Sequence, residues 1–133
     1  NFIVSFVDAA VAYLHIYDED LNPVMDTNFD VVENLGDWLN IIDHVEFNQD
    51  IYTVHNITNS KSQQAYISKF TDGGGLISQI DYGGDENDHV EFIFHDDENL
   101  IFGGDSRSFK QSNAGNHPYY WISKIDPSGN KLF

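Results

Sequence analysis

An all-β chain built from repeated antiparallel units of four strands is predicted by three observations. The apolar runs are short, rich in Tyr, Ile, Val and Phe, and bounded by Gly, Asp, Asn and Pro clusters, which is strand punctuation rather than helix punctuation. Three segments resemble one another: Ala12-Tyr13-Leu14-His15-Ile16-Tyr17-Asp18, Ala65-Tyr66-Ile67-Ser68-Lys69-Phe70-Thr71 and Tyr120-Trp121-Ile122-Ser123-Lys124-Ile125-Asp126. Their aromatic positions Tyr13, Tyr66 and Trp121 lie 53 and 55 residues apart. A period of that length belongs to propeller blades and not to helical solenoids, and four strands per repeat is the propeller count. The expected architecture is about two full four-stranded antiparallel β-propeller blades, with partial strands of flanking blades, inside a larger propeller.

The elements follow in order. Residues 1–11 carry Phe2-Ile3-Val4-Ser5-Phe6, which fits the last strand of a preceding blade. Residues 12–64 form a degenerate blade, in which Asp37-Trp38-Leu39-Asn40-Ile41-Ile42 corresponds to Asp88-His89-Val90-Glu91-Phe92-Ile93. Leu35, Leu39 and Ile42 have helical spacing, but Gly36 and the match to 88–93 favour a strand there. Residues 65–119 form the clearer blade, with strands near 65–70, 76–81, 89–94 and 99–103. Tyr66, Ser68 and Phe70 share one face of the first of these. Residues 120–133 begin the next blade, with Trp121, Ser123 and Ile125 on the matching face. A turn follows each similar segment: Asp18-Glu19-Asp20-Leu21-Asn22, Thr71-Asp72-Gly73-Gly74-Gly75 and Asp126-Pro127-Ser128-Gly129-Asn130. His44 and His89 are each followed by Val-Glu-Phe, yet this alignment puts them in different strand slots.

The strands number fewer than three blades, and a ring needs at least about four. The chain also starts and stops inside apolar runs, so it is expected to be a processed product or a piece of something longer. Other parts of a longer polypeptide, or neighbouring chains, would complete the ring. Phe2 to Phe6 is expected to pair outside these 133 residues, because a terminal apolar strand otherwise leaves its edge and face open.

Tyr120-Trp121-Ile122-Ser123-Lys124-Ile125-Asp126-Pro127-Ser128-Gly129-Asn130, Tyr82-Gly83-Gly84 and Asn99-Leu100-Ile101-Phe102-Gly103-Gly104-Asp105-Ser106 resemble secreted bacterial β-propeller repeats. Such repeats run aromatic–apolar–x–Lys–apolar–Asp–x–x–Gly–Asn, then apolar–Gly–Gly, then a strand from Asp and a final strand ending Gly–x–Ser. The match covers 65–133 well and 1–64 weakly, since Asp30-Val31 replaces Gly83-Gly84 and Val54-His55 replaces Gly103-Gly104. The resemblance implies an exported or cell-surface bacterial protein, notably of Bacteroidetes-like bacteria. It brings no catalytic residues, because one fold hosts many functions.

Composition removes several classes of function. Six Lys+Arg stand against 22 Asp+Glu, a net charge of −16, which excludes phosphate-backbone binding and docking on anionic lipid. The chain is 41% hydrophobic and 14% aromatic, enough to fold despite its charge. Cysteine is absent, which excludes disulfides, thiolate metal sites and Cys nucleophiles. No apolar run approaches the roughly 20 residues of a membrane helix.

Candidate chemistry is sparse. Asp18-Glu19-Asp20-Leu21-Asn22 opens like a calcium loop, but Pro23 stands where that loop needs Gly and Phe29 where it needs a bidentate Glu. Asp85, Glu86 and Asp88 are the candidate Ca²⁺ ligands, the one cofactor the sequence offers; acidic runs of this kind are more often solvated loops. The six histidines show no metal-binding spacing. Ser128-Gly129-Asn130-Lys131 spans a turn and so is no S-x-x-K catalytic motif. The segment from Phe109 to Tyr119 is longer than its counterparts, and Asn113, Asn116, His117 and Tyr119 are its candidate ligand contacts. The recurring Tyr13, Tyr66 and Trp121 suit packing between blades, with a sugar-stacking stripe as the alternative. Asn56-Ile57-Thr58 is a glycosylation sequon.

The expectation is a non-enzymatic binding, adhesion or structural module of an extracellular or cell-surface β-propeller protein. Its partners would be protein, with glycan as a further ligand class, and neither nucleic acid nor membrane insertion. The alternatives are an enzyme domain on a propeller, hydrolase or quinone-type oxidoreductase, and a spacer in a secretion cargo or surface fibre.

Overall fold

The computed structural model describes residues 2–8, 11–30, 38–58, 61–109 and 117–133. Among these residues the chain is all-β, with no helix. The strands are β1 (Phe2–Asp8), β2 (Val11–Tyr17), β3 (Pro23–Asp30), β4 (Trp38–Phe47), β5 (Asp50–Thr58), β6 (Gln63–Thr71), β7 (Leu76–Asp81), β8 (Asp88–His95), β9 (Leu100–Ser106) and β10 (Tyr119–Ile125). They form three antiparallel sheets, ordered β1-β2-β3, β4-β5-β6-β7 and β10-β9-β8. Leu39 and Ile42, which have helical spacing, lie in β4; Leu35 and Gly36 lie outside the described residues.

The turns decide which strands share a sheet. Asn48 and Gln49 both have positive φ, 54° and 67°, the two-residue hairpin geometry whose twist matches flanking strands. That turn fixes β4 against β5, with Phe47 opposite Asp50. The three turns of the repeated segments superpose bond for bond. Asp18 N–H donates to the Asn22 carbonyl (3.0 Å), Thr71 N–H to Gly75 (2.9 Å) and Asp126 N–H to Asn130 (3.0 Å). In each, the fourth residue is left-handed: Leu21 at φ 62°, Gly74 at 84° and Gly129 at 86°. In each, the first side chain accepts the last N–H: Asp18 from Asn22 (2.9 Å), Thr71 Oγ1 from Gly75 (3.0 Å) and Asp126 from Asn130 (2.8 Å).

The strand positions match the repeats, but the partition into units differs. Strands expected together in 65–119 are divided: β6 and β7 pair with β4 and β5, while β8 and β9 pair with β10. Likewise β2 and β3 of the expected 12–64 unit pair with β1, apart from β4 and β5. A repeat of four strands has no intrinsic phase, and contacts between segments distant in sequence set where one sheet stops. The turn at 48–49 joins β4 to β5 and the turn at 71–75 joins β6 to β7, whereas residues 82–87 carry the chain into the next sheet. A second correction concerns β1. It was expected to pair outside the chain, and it pairs with β2 along its whole length, from Phe2 opposite Tyr17 to Asp8 opposite Val11.

The second and third sheets share a bulge at the same place. Ile42 is skipped between Ile41–His55 and Asp43–Val54. Glu91 is skipped between Val90–Gly104 and Phe92–Gly103. This equivalence shows that His44 and His89 occupy the same strand slot, four residues out of register, so their shared Val-Glu-Phe has no structural counterpart. Gly104 is needed at the bulge, where a Cβ would overlap the His89 carbonyl oxygen.

The core lies between the second and third sheets. Phe47, Tyr52, Val54, Ala65 and Ile67 from one side meet Val90, Ile93, Leu100, Phe102 and Ile125 from the other. Burial of each large apolar side chain contributes about 1.5–3 kcal/mol. The opposite face of the second sheet is buried too, through Thr53, His55, Ser68 and Phe70. β4 also meets β1 and β2 of the first sheet.

Candidate functional site

The polar chemistry concentrates where the chain passes from the second sheet to the third. Asp88, at the start of β8, is fully buried. Its Oδ1 accepts from the Ser106 hydroxyl in a short bond, and from Ser108 N–H at 3.4 Å. Its Oδ2 accepts from the Ser108 hydroxyl and from Gly84 N–H, each at 2.6 Å. Gly84 reaches the carboxylate because it has no side chain; a Cβ there would collide with Ser108. A buried carboxylate is tolerated when its lone pairs are taken up by donors in this way.

The predicted calcium ligands are therefore separated by role. Asp88 points inward, with both oxygens engaged by protein donors. Asp85 and Glu86 are exposed. Glu86 contributes its backbone to the same corner, its N–H donating to Ser108 Oγ (2.9 Å) and its carbonyl accepting from Gln64 Nε2 (3.0 Å). Among the described residues, no group of three or more His, Cys, Asp or Glu is placed to hold a metal. Of the predicted ligand contacts, His117 is exposed, and Tyr119 is half-buried opposite Ser106 at the head of β10. Asn113 and Asn116 lie outside the described residues.

A second polar group lines the same seam. The His89 Nδ1 lies 3.1 Å from Asp105 Oδ1, and its Nε2 lies 2.5 Å from Gln63 Oε1. The Ser106 and Ser108 hydroxyl protons both go to Asp88, so neither serine presents its proton to this histidine. His89 links β8 to Asp105 of β9 and Gln63 of β6.

Sequence reasoning missed the two residues that join the sheets. The Asn56 amide grips Val90 with both ends: Nδ2 donates to the Val90 carbonyl (3.1 Å) and Oδ1 accepts the Val90 N–H (2.8 Å). Asp43 Oδ2 accepts the Ile93 N–H at 3.0 Å. β8 is the edge strand of its sheet, and edge backbone groups buried without partners are costly. Side chains of the second sheet supply those partners. Asn56 is only 5% exposed, so the sequon asparagine is committed to the fold. The signal available in the sequence was a polar residue inside the apolar run Ile51 to Ile57.

His55 sits on the other face of the second sheet. Its ring stacks on Tyr66 at 5.8 Å, and Gln79 Nε2 lies 3.3 Å from its Nε2. Burial pushes its pKa down to about 3, because desolvation disfavours the charged ring. The turn carboxylates are lowered as well. Asp18 and Asp126 are held down by the Asn22 and Asn130 side chains, and Asp96 falls to about 2 beside the Lys124 ammonium. Tyr66 and Trp121, at the repeated aromatic position, both serve packing: Trp121 meets Phe102 edge-on at 5.6 Å.

No protein-family model matches the chain, and no characterised protein matches it in a search by sequence.

Proposed function

We propose that this chain is a non-enzymatic structural and binding module of an exported bacterial β-propeller protein. In this reading the blades are phased half a repeat from the sequence motif, so that residues 38–81 are one blade and residues 88–133 the larger part of the next. The observation that carries the reading is the equivalence of the sheets. The second and third share a bulge site, all three share one hairpin geometry, and each successive sheet enters with its first strand laid across the preceding one. β4 meets β1 and β2, and β8 meets β4, β5 and β6. A unit that repeats both internally and in its docking direction extends by addition, as propellers do. The amide grip serves this stacking, and the buried carboxylate and Gly84 hold the corner from which the third sheet starts, so we read the site of polar chemistry as a joint rather than a reaction centre.

The test is the complete gene product that contains these residues. The reading expects further repeats of about 50 residues and an N-terminal export signal. A complete product with neither would overturn it.

A further inference from the structure

The turn between β6 and β7 differs from its two counterparts in how its acid is held. Asp18 and Asp126 open the other two turns with their carboxylates engaged. Asp18 Oδ1 accepts from the Asp20 and Asn22 N–H groups, and Asn22 Nδ2 donates to both Asp18 oxygens. Asp126 is held in the same way by Ser128 and Asn130, and the next residue, Pro127, has no amide hydrogen. In the β6–β7 turn the first position is Thr71, and the acid stands one place later, at Asp72. Asp72 is exposed, and its carboxylate has no hydrogen bond or ion pair among the described residues. The N–H of the following Gly73, also exposed, has no partner among them either. Asp72 is the one aspartate in the sequence that glycine follows.

The fold does not require glycine at 73. Its φ is not positive, unlike that of Gly74 at 84°, and a Cβ there would meet Thr71 Oγ1 at an ordinary 3.9 Å. What glycine supplies is backbone freedom and an unshielded nitrogen. We propose that Asp72–Gly73 is a site of spontaneous isoaspartate formation. The Gly73 nitrogen attacks Asp72 Cγ, and the Cγ hydroxyl of the neutral acid leaves with the amide proton as water. The five-membered succinimide so formed then takes up one water. Addition at Cγ breaks the new bond and restores aspartate. Addition at the main-chain carbonyl breaks the original peptide bond, and the chain then runs through Cβ and Cγ. No oxidant or cofactor enters, and the mass is unchanged. The counterparts of Asp72 do not share this chemistry: Glu19 would need a six-membered ring, and Pro127 has no carboxyl group. The product adds one main-chain atom inside both rings that close the turn, from Thr71 N–H to the Gly75 carbonyl and from Gly74 N–H to the Thr71 carbonyl. β7 is the edge strand of its sheet, so the start of β7 loosens with the turn.

The experiment holds the unaltered chain, Gly73→Ala and Asp72→Glu folded at about pH 6 and physiological temperature, then digests each with trypsin, which cuts after Lys69 and Arg107. In the unaltered chain the peptide from Phe70 to Arg107 is expected to acquire a second form of the same mass. That form separates by chromatography, is methylated by an isoaspartyl methyltransferase, and is located at Asp72 by fragmentation. Gly73→Ala is expected to acquire it at least about fivefold more slowly, and Asp72→Glu is expected to show none at this position. In the isomerised chain the amides of β7 are expected to exchange hydrogen faster, with those of β9 unchanged. No isoaspartate at Asp72, or equal rates in the unaltered chain and Gly73→Ala, overturns the proposal. Unchanged exchange in β7 overturns the stated effect on the turn. The repeat reading is independent of these results, since it is decided by the repeats of the complete gene product.

Discussion

The two faces of the third sheet have similar composition and opposite fates. The inner face, with Val90, Ile93, Phe102 and Ile125, is at most 4% exposed, whereas Ile122 and Tyr120 on the outer face are 60% and 87% exposed. Apolar content does not distinguish them. What distinguishes the inner face is a neighbour that also satisfies the edge of β8, through Asn56 on Val90 and Asp43 on Ile93. Hydrophobic burial is non-directional, so it makes both faces adhesive. The polar side chains select which surface is covered and in what register.

The largest effect is expected where the inner seam is most polar. Asp88→Ala removes the acceptor for two hydroxyls and two N–H groups. Breaking a buried charged network of this kind costs about 3–5 kcal/mol. The urea midpoint should fall accordingly with the slope unchanged, while Ser108→Ala, which removes one donor to Asp88 and the acceptor of the Glu86 N–H, should cost about 1–2 kcal/mol. An Asp88→Ala chain as stable as the unaltered one would mean that the corner formed by Gly84, Ser106 and Ser108 does not depend on its buried carboxylate.

Much of this contrast was legible in the sequence, and the missing part has a physical reason. The strands, the hairpins after Tyr17, Phe70 and Ile125, and the glycine pair at 103–104 all follow from local chemistry that residues express on their own. The partition into sheets does not. It depends on whether residues 82–87 return to the sheet they left, and that is decided by Asp88 gathering Gly84, four residues away, with Ser106 and Ser108, 18 and 20 residues away. Asn56 shows the same limit. Its partner Val90 lies 34 residues away in sequence, so the local pattern presents it only as a polar interruption and as a sequon. Asp88 was legible as an acid and illegible as a buried one.

A smaller effect sharpens the comparison on the other face of the second sheet. His55 is fully buried there, and its pKa of about 3 lies below the ordinary 6.5. Above pH 6.5 both folded and unfolded chains hold it neutral. As the pH falls below 6.5 the unfolded chain takes up a proton that the folded chain refuses, so stability drops by about 1.4 kcal/mol per pH unit until the folded pKa is reached. The lowered carboxylates Asp18, Asp96 and Asp126 lose their contribution only as the pH falls through and below their ordinary 3.8, so they do not contribute between pH 6.5 and 5, and His55→Leu separates this histidine from the other five. Between pH 7 and 5 the unaltered chain should lose about 2 kcal/mol more than His55→Leu, read from urea midpoints at the two pH values. Parallel losses in the two proteins would place His55 in contact with water.

The smallest expected effect runs in the opposite direction and tests the equivalence on which the comparison rests. Leu21 holds φ 62° at the turn position that Gly74 and Gly129 fill in the other two hairpins. A Cβ in the left-handed region costs roughly 1–2 kcal/mol, and glycine lowers that cost while gaining freedom in the unfolded chain. Leu21 is 67% exposed, so little packing is lost with its side chain. Leu21→Gly is therefore expected to stabilise the chain by about 0.5–1 kcal/mol, seen as a small rise in melting temperature. Gly74→Leu should destabilise by a comparable or larger amount, since Gly74 is buried in its turn. If Leu21→Gly were destabilising, the first hairpin would not share the geometry of the other two. The counterpart relation that aligns Tyr13 with Tyr66 and Trp121 would then lose its anchor at that end of the molecule.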